Sequence, residues 1–145
     1  MAGKTAVFEN DFLKLLFQGT AIANIADNAA SAPLTNLYLS LHTADPTDAA
    51  ASGQSTNETT YTGYARVAVA RTSGGWTVTG NSVSPVATIS FGTCSAGTAT
   101  ITHVGIGTLS SGTGKLLMTG SLSPSVSVVT GVVPQITTAS MITED

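Results

Sequence analysis

Hydrophobic positions near the N-terminus repeat with the period of an α-helix. Phe8, Phe12, Leu15 and Leu16 recur at i, i+4, i+7 and i+8, which places them on one face of a helix. Acidic residues in the first turn interact favourably with the positive end of the helix dipole, and a glycine follows the last apolar position. The pattern predicts a helix over about residues 7–18.

This predicted helix is apolar on more than one face, because Leu13 and Phe17 lie beside the main apolar stripe. A helix that packs on one small β-domain needs only one buried face. The surplus predicts a second contact, and we expect Phe8, Phe12 and Leu16 to lie at an interface with a neighbouring protein.

From about residue 36 the hydrophobic period changes to two, which is typical of β-strands. Leu37, Leu39 and Leu41 alternate with less apolar residues, and the strand ends at Asp45-Pro46. Short segments rich in Thr and Val follow, separated by glycine-containing turn signals. These later strands are predicted at residues 65–70, 76–79, 86–91, 98–108, 115–122, 125–133 and 135–142.

The order of these elements predicts the fold class. One helix followed by many short strands favours a mainly β protein, and we expect an antiparallel β-sandwich of jelly-roll type with a short N-terminal helix. The sequence shows no repeat and no linker, so residues 1–145 are expected to form a single domain. Trp76 is expected in its core.

A polar loop over residues 47–62 interrupts the strands. Its near lack of apolar side chains predicts a surface position, and a loop of this length is often functional. We therefore expect the part around Asn57 and Tyr61 to lie at an interface.

Composition narrows the class of protein. Charged residues make up 9% of the chain and the net charge is −3, with five basic residues that are scattered. These features argue against nucleic-acid binding. No apolar run is long enough to span a membrane. The N-terminus lacks the pattern of a signal peptide, so we expect synthesis and folding in a cytoplasm.

Residue types that could carry chemistry are few. A zinc site would need His42, His103 and Cys94. They lie on separate predicted strands, so we expect His42 to face solvent, His103 to be half-buried and Cys94 to be a small core residue. A phosphate-binding loop at residues 110–117 fails, because Leu109 and Leu116 stand where the motif needs glycine and a hydroxyl.

Catalytic motifs are also lacking. The sequence has no G-x-S-x-G, and the acids Asp45, Asp48 and Glu58 all fall in or beside the polar loop, where carboxylates are usually solvated. The sequence therefore predicts no enzyme activity, no catalytic residues, no metal and no cofactor.

Four segments in order resemble small structural proteins of tailed bacteriophages. They are LSLHTADP at Leu39–Pro46, GYARV at Gly63–Val67, ITHVGIG at Ile101–Gly107 and LLMTGSL at Leu116–Leu122. Together they span most of residues 8–125. The resemblance implies a component of the virion, made in the cytoplasm of the bacterial host, and it implies no catalytic residues.

Within that class we expect a capsid decoration (cement) protein that binds the assembled head. Its expected partners are the major capsid protein and copies of itself, as a dimer or trimer. The alternative is a tail component, such as a fibre or tail-associated protein. A second alternative from another class is a carbohydrate-binding module that uses Trp76, Tyr61 and Tyr64, and it requires these aromatic rings to be exposed on one face.

Overall fold

The computed structural model describes residues 6–22, 33–46 and 53–143. Helix α1 covers Ala6–Leu13 and continues into a π-helical turn at Lys14–Gln18. The helix ends at Gly19, whose φ of 67° is left-handed and whose N–H binds the carbonyl of Lys14. The predicted helix is confirmed. No helix in the described ranges has the length and apolar character needed to cross a membrane.

Strands account for most of the regular structure in the described residues, and the pairings between them are antiparallel. The predicted mainly β fold with a short N-terminal helix is confirmed, whereas the jelly-roll arrangement stays a prediction. The strands are β1 (Asn36–His42), β2 (Val67–Ala70), β3 (Trp76–Thr79), β4 (Ser82–Pro85), β5 (Ile89–Ser90), β6 (Ala99–Gly107), β7 (Leu116–Val128), β8 (Gln135–Ile136) and β9 (Ile142–Thr143).

The chain divides into two compact units that alternate along the sequence. Unit 1 contains residues 1–36, 70–88 and 136–145, and unit 2 contains residues 37–69 and 89–135. Neither unit is a continuous segment, so each depends on long-range contacts to bring its pieces together.

Unit 1 packs the N-terminal helix on a three-stranded sheet of order β3-β4-β9. The rings of Phe17 and Trp76 meet edge to face at a centroid distance of 4.7 Å, and both are buried. The expected core position of Trp76 is confirmed. Gly80-Asn81 joins β3 to β4 as a hairpin turn, and β4 itself was not predicted. Of the strand predicted at residues 86–91, only Ile89–Ser90 is a strand, β5.

Unit 2 contains a four-stranded sheet of order β2-β1-β6-β7. Leu37, Leu39 and Leu41 of β1 are at most 2% exposed, as their alternation predicts. The two strands predicted at 115–122 and 125–133 are replaced by one strand, β7, which ends at Val128 and lies at the edge of this sheet.

The second face of β1 is covered as well, which the alternation did not predict. Ser40 and His42 are both 0% exposed, so the expectation that His42 faces solvent is wrong. The polar loop contacts this strand: the carbonyl of Thr56 lies 2.8 Å from His42 Nδ1, and Thr59 donates its N–H to the carbonyl of Leu41. Residues 47–52 of the loop lie outside the described residues. Most of the part that follows, residues 53–62, is buried, half-buried or hydrogen-bonded to neighbouring segments.

Candidate functional site

A buried ion pair joins the polar loop to the segment that leads into β2. Arg66 donates from Nε to Glu58 Oε1 and from Nη2 to Glu58 Oε2, each at 2.7 Å. The side chains are 2% and 14% exposed. This two-point geometry is the strongest form of an arginine–carboxylate contact. The hydrogen bond to Glu58 raises the pKa of Arg66, although burial opposes it.

Arg66 also holds the loop between β6 and β7. Its Nη1 donates to the carbonyl of Leu109 at 2.9 Å, and Nη2 donates to the carbonyl of Gly112 at 2.7 Å. A third donation reaches Gln54 Oε1 at 3.2 Å. One guanidinium therefore fixes two stretches of chain more than 40 residues apart in sequence, using the several donors that arginine presents in one plane.

Two further side chains complete this network. Tyr64 donates its hydroxyl to Glu58 Oε1 at 2.7 Å and accepts the N–H of Leu41 at 3.1 Å. Burial raises the pKa of Tyr64, so the phenol stays protonated. Gln54, which is 0% exposed, donates to the carbonyl of Tyr38 at 2.6 Å.

A second buried group lies on β1. His42 Nδ1 is 2.8 Å from the carbonyl of Thr56, and its Nε2 is 2.9 Å from Ser40 Oγ. A carbonyl can only accept, so Nδ1 carries the proton and Nε2 accepts from the Ser40 hydroxyl. Burial lowers the pKa of His42, while the contacts with Thr56 and Glu58 raise it. Burial is the largest of these effects, so the pKa of His42 lies below its ordinary value and the ring is neutral at pH 7.

A serine beside a histidine is also the arrangement of nucleophilic catalysis. Here both side chains are 0% exposed, and the third partner is a backbone carbonyl rather than a carboxylate. This geometry suits the attachment of the loop at Thr56 to β1. We assign the pair that structural role.

The residues considered as zinc ligands were His42, His103 and Cys94. His42 and His103 stand opposite each other in the register of β1 and β6, but both ring nitrogens of His42 are already hydrogen-bonded. Cys94 is 0% exposed and its thiol lies 3.4 Å from the carbonyl of Ala96, which fits the expected core position. Among the described residues, no group of three or more His, Cys, Asp or Glu side chains could hold a metal ion.

The carboxylates considered for catalysis are not assembled in the described residues. Glu58 is engaged by Arg66 and Tyr64. Asp48 lies outside the described residues, and Asp45 is exposed at the end of the β1 segment, where its backbone carbonyl accepts from Asn57.

The helical residues expected at an interface have different positions. Phe12 and Leu16 are half-buried, while the side chain of Phe8 lies outside the described residues. The carbonyl of Leu16 accepts from Arg71 Nε at 2.6 Å, which ties the end of the helix to the segment after β2. The interface role of these three residues stays a prediction.

The two loop residues expected at an interface also differ. Asn57 is exposed, adopts a left-handed φ of 53° and donates to the carbonyl of Asp45 at 2.7 Å. Tyr61 is only 5% exposed and donates its hydroxyl to the carbonyl of Gly92 at 2.8 Å. Asn57 is therefore accessible, whereas Tyr61 is mostly used by the fold, and the interface role of both residues stays a prediction.

The aromatic residues considered for carbohydrate binding do not form an exposed face within either unit. Trp76 is buried in unit 1, and in unit 2 the rings of Tyr61 and Tyr64 meet edge to face at 5.5 Å with Tyr64 half-buried. The exposed aromatic face that a carbohydrate-binding module requires is not found at these residues.

Sequence reasoning missed the network around Arg66. It placed Glu58 among solvated acids and Arg66 in the strand predicted at residues 65–70. A usable signal was present, because a chain with so few charges carries an acid and a base eight residues apart beside tyrosines. Buried charges are rare unless they are paired, so this pair was a candidate for a buried contact.

The geometry of these residues does not by itself identify the family of the protein. Comparison with known sequences does identify the family. No curated protein matches the chain. Residues 3–144, nearly the whole length, match the family described as podophage GP4 fiber I protein gp80, and the chain therefore belongs to this family of bacteriophage structural proteins.

Proposed function

We propose that this protein is a subunit of a fibre on the phage particle and acts by binding rather than by catalysis. The observation that carries the proposal is the match of residues 3–144 to a family described as a fibre protein. The description favours the tail-component alternative over the capsid decoration protein that the sequence alone had favoured.

The fold suits such a role. The described surface is built from β-strands and short turns, and its exposed positions are mostly Ser, Thr and Gly with few charges. Identical subunits with little charge do not repel each other strongly, so neighbouring copies can pack side by side. Copies of the same chain are the partners we propose, and the capsid partner belongs to the decoration alternative.

The buried polar network supports a mechanical role. Arg66 and Glu58 fix the loop at residues 109–112 from beneath, so Leu109, which is 48% exposed, is presented on a rigid loop. A loop held in one conformation loses less entropy when it binds. We propose that the protein works without a cofactor, through such preorganised surfaces.

Antibody labelling of intact particles tests the proposal. Gold-labelled antibody against the purified chain should decorate the fibres at the tail end, and quantitative mass spectrometry should find a small number of copies per particle. Labelling spread evenly over the head, with hundreds of copies, would contradict the fibre assignment and support the decoration alternative.

A glycan array run with the same purified chain separates the carbohydrate alternative. With Trp76 buried in unit 1 and Tyr61 in unit 2, we expect no glycan to bind through an aromatic platform. If a glycan does bind, and Tyr64→Ala removes that binding, the aromatic residues serve recognition after all.

A further inference from the structure

Strand β7 ends the four-stranded sheet of unit 2, and no strand lies on its outer side among the described residues. Alternate residues of an edge strand direct N–H and C=O groups away from the sheet. Residues 119–121 and 123–125 are exposed. The outer edge of β7 is therefore a template on which another extended chain can pair.

Only the first half of β7 has the regular geometry that pairing needs. Met118 to Ser121 stand in step opposite Ile106 to His103. Residues 122–125 then all fall opposite the single Thr102, and they include Pro124, which has no N–H to donate. Leu117 also has no opposing residue on β6, because Leu116 stands opposite Gly107 and Met118 opposite the adjacent Ile106. A bulge and a proline both protect an edge from pairing, so the regular open template is Met118–Ser121.

This open segment has no charged side chain. Edge strands that avoid pairing commonly carry lysine or another charge, and here Lys115 stands just before β7. We propose that Leu117–Ser121 pairs antiparallel with the same segment of a second copy about a two-fold axis at Thr119, with the regular residues Met118–Gly120 at its centre. The inference rests on the proposed fibre function and names its partner as the chain itself.

The sequence of the segment is complementary to itself in that register. An axis on a residue keeps each side chain opposite one on the same face of the joined sheet. Thr119 then stands opposite Thr119 of the second copy, a favourable cross-strand pair. Met118 stands opposite Gly120, where no atom lies within 4 Å of the position that a Cβ would take. Leu117 stands opposite Ser121, and no two charges oppose each other.

The contact is small. A five-residue strand pair buries less than the roughly 1,600 Å² of a standard stable interface, so we expect a concentration-dependent dimer. In a particle, several such contacts between neighbouring subunits would act together.

Single-cysteine cross-linking of the full chain tests the register. Thr119→Cys should form disulfide-linked dimers under mild oxidation, because residue 119 opposes itself. Leu117→Cys and Ser121→Cys should each stay monomeric alone and should cross-link when mixed. The native Cys94 is 0% exposed and does not compete. Ser140→Cys, an exposed thiol in unit 1, measures random collision.

Two cross-linking results would overturn the inference. Equal dimer yields from all three β7 variants would indicate parallel pairing or collision, and yields no higher than that of Ser140→Cys would indicate that β7 does not pair.

Sedimentation equilibrium gives an independent measurement on the uncross-linked chain. Thr119→Lys should weaken self-association by at least about tenfold, because two like charges would meet at the axis. Circular dichroism of the variant checks that the fold is kept, and unchanged association of a folded variant contradicts the proposed axis. Fibre labelling without β7 pairing would overturn this inference alone, whereas head labelling with β7 pairing would overturn only the proposed function.

Discussion

Arg66 is the residue on which the internal order of unit 2 depends most. Its guanidinium contacts Glu58, Gln54 and the carbonyls of Leu109 and Gly112. A buried ion pair gives little net stability compared with apolar packing, but the loss of one partner leaves a costly unpaired charge. The network therefore selects one arrangement of two loops.

Glu58→Gln tests this role directly. The substitution keeps the shape of the side chain and leaves Arg66 charged, 2% exposed and without its carboxylate. We expect the free energy of unfolding in urea to fall by about 3 kcal/mol. Asp11→Asn on α1 is the matched control, and it should change the same quantity by less than about 0.5 kcal/mol. Equal effects of the two variants would mean that the ion pair is not buried in solution.

His42 should make stability depend on pH. Burial lowers its folded-state pKa below the ordinary value of 6.5, so the unfolded chain binds the proton more readily. The free energy of unfolding should therefore decrease as the pH falls below about 6.5, and this decrease should end below the folded-state pKa.

Urea unfolding at several pH values between about 7 and 4.5 measures this effect. His42→Asn keeps a donor near the carbonyl of Thr56 and removes the titrating ring, so its curve should be flatter than that of the wild type. His103→Asn is the control, because it retains the His42 contribution. A wild-type curve as flat as that of His42→Asn would contradict the assignment.

At the scale of elements, close approaches of backbone decide where the loop of unit 2 can run. The segment around Gly63 lies against the segment around Gly92, with Thr62 and Ala96 joined by a backbone hydrogen bond of 3.0 Å. A Cβ at Gly92 would stand 1.9 Å from the carbonyl oxygen of Gly63. Because that atom belongs to the backbone, it cannot rotate away.

Gly92→Ala should therefore be strongly destabilising. Accommodating the methyl group requires one segment to move, and we expect a loss of about 2–3 kcal/mol in the free energy of unfolding. Gly74→Ala is the matched control, since its nearest neighbour would be a side-chain oxygen at 3.5 Å. The expected change there is within about 0.5 kcal/mol. A neutral Gly92→Ala would show that the two segments are further apart than described.

At the scale of the whole molecule, the low charge bears on the proposed self-association. The chain has five basic and eight acidic residues among 145, and one of each is buried in the ion pair of unit 2. Long-range repulsion between copies is correspondingly weak. In the proposed assembly, contacts between copies would depend on backbone hydrogen bonds and on uncharged side chains.

Self-association should accordingly be insensitive to salt. Between about 50 and 500 mM NaCl we expect the dimer dissociation constant to change by less than about twofold, because no charge lies in the proposed contact. Sedimentation equilibrium at both salt concentrations measures this. A change of tenfold or more would indicate an ionic interface elsewhere on the molecule.

Local patterns were sufficient where one short-range rule dominates. The apolar period of the N-terminal segment predicts its helix, the alternation at Leu37, Leu39 and Leu41 predicts β1, and Trp76 is buried as expected. These features depend on periodicity and on the transfer of apolar groups out of water, which are properties of neighbouring residues.

The buried polar contacts could not be derived in that way. Whether Glu58 and His42 face water depends on how the polar loop folds back onto β1 and on contacts such as those of Arg66 with Leu109 and Gly112, which no local pattern in the sequence specifies. The same holds for β7, because nothing local distinguishes an edge strand from a central one. The sequence by itself determined the mainly β class, the helix and the family. Only the tertiary structure decided which polar groups are buried and which backbone edge is open, because both depend on contacts between residues far apart in the chain.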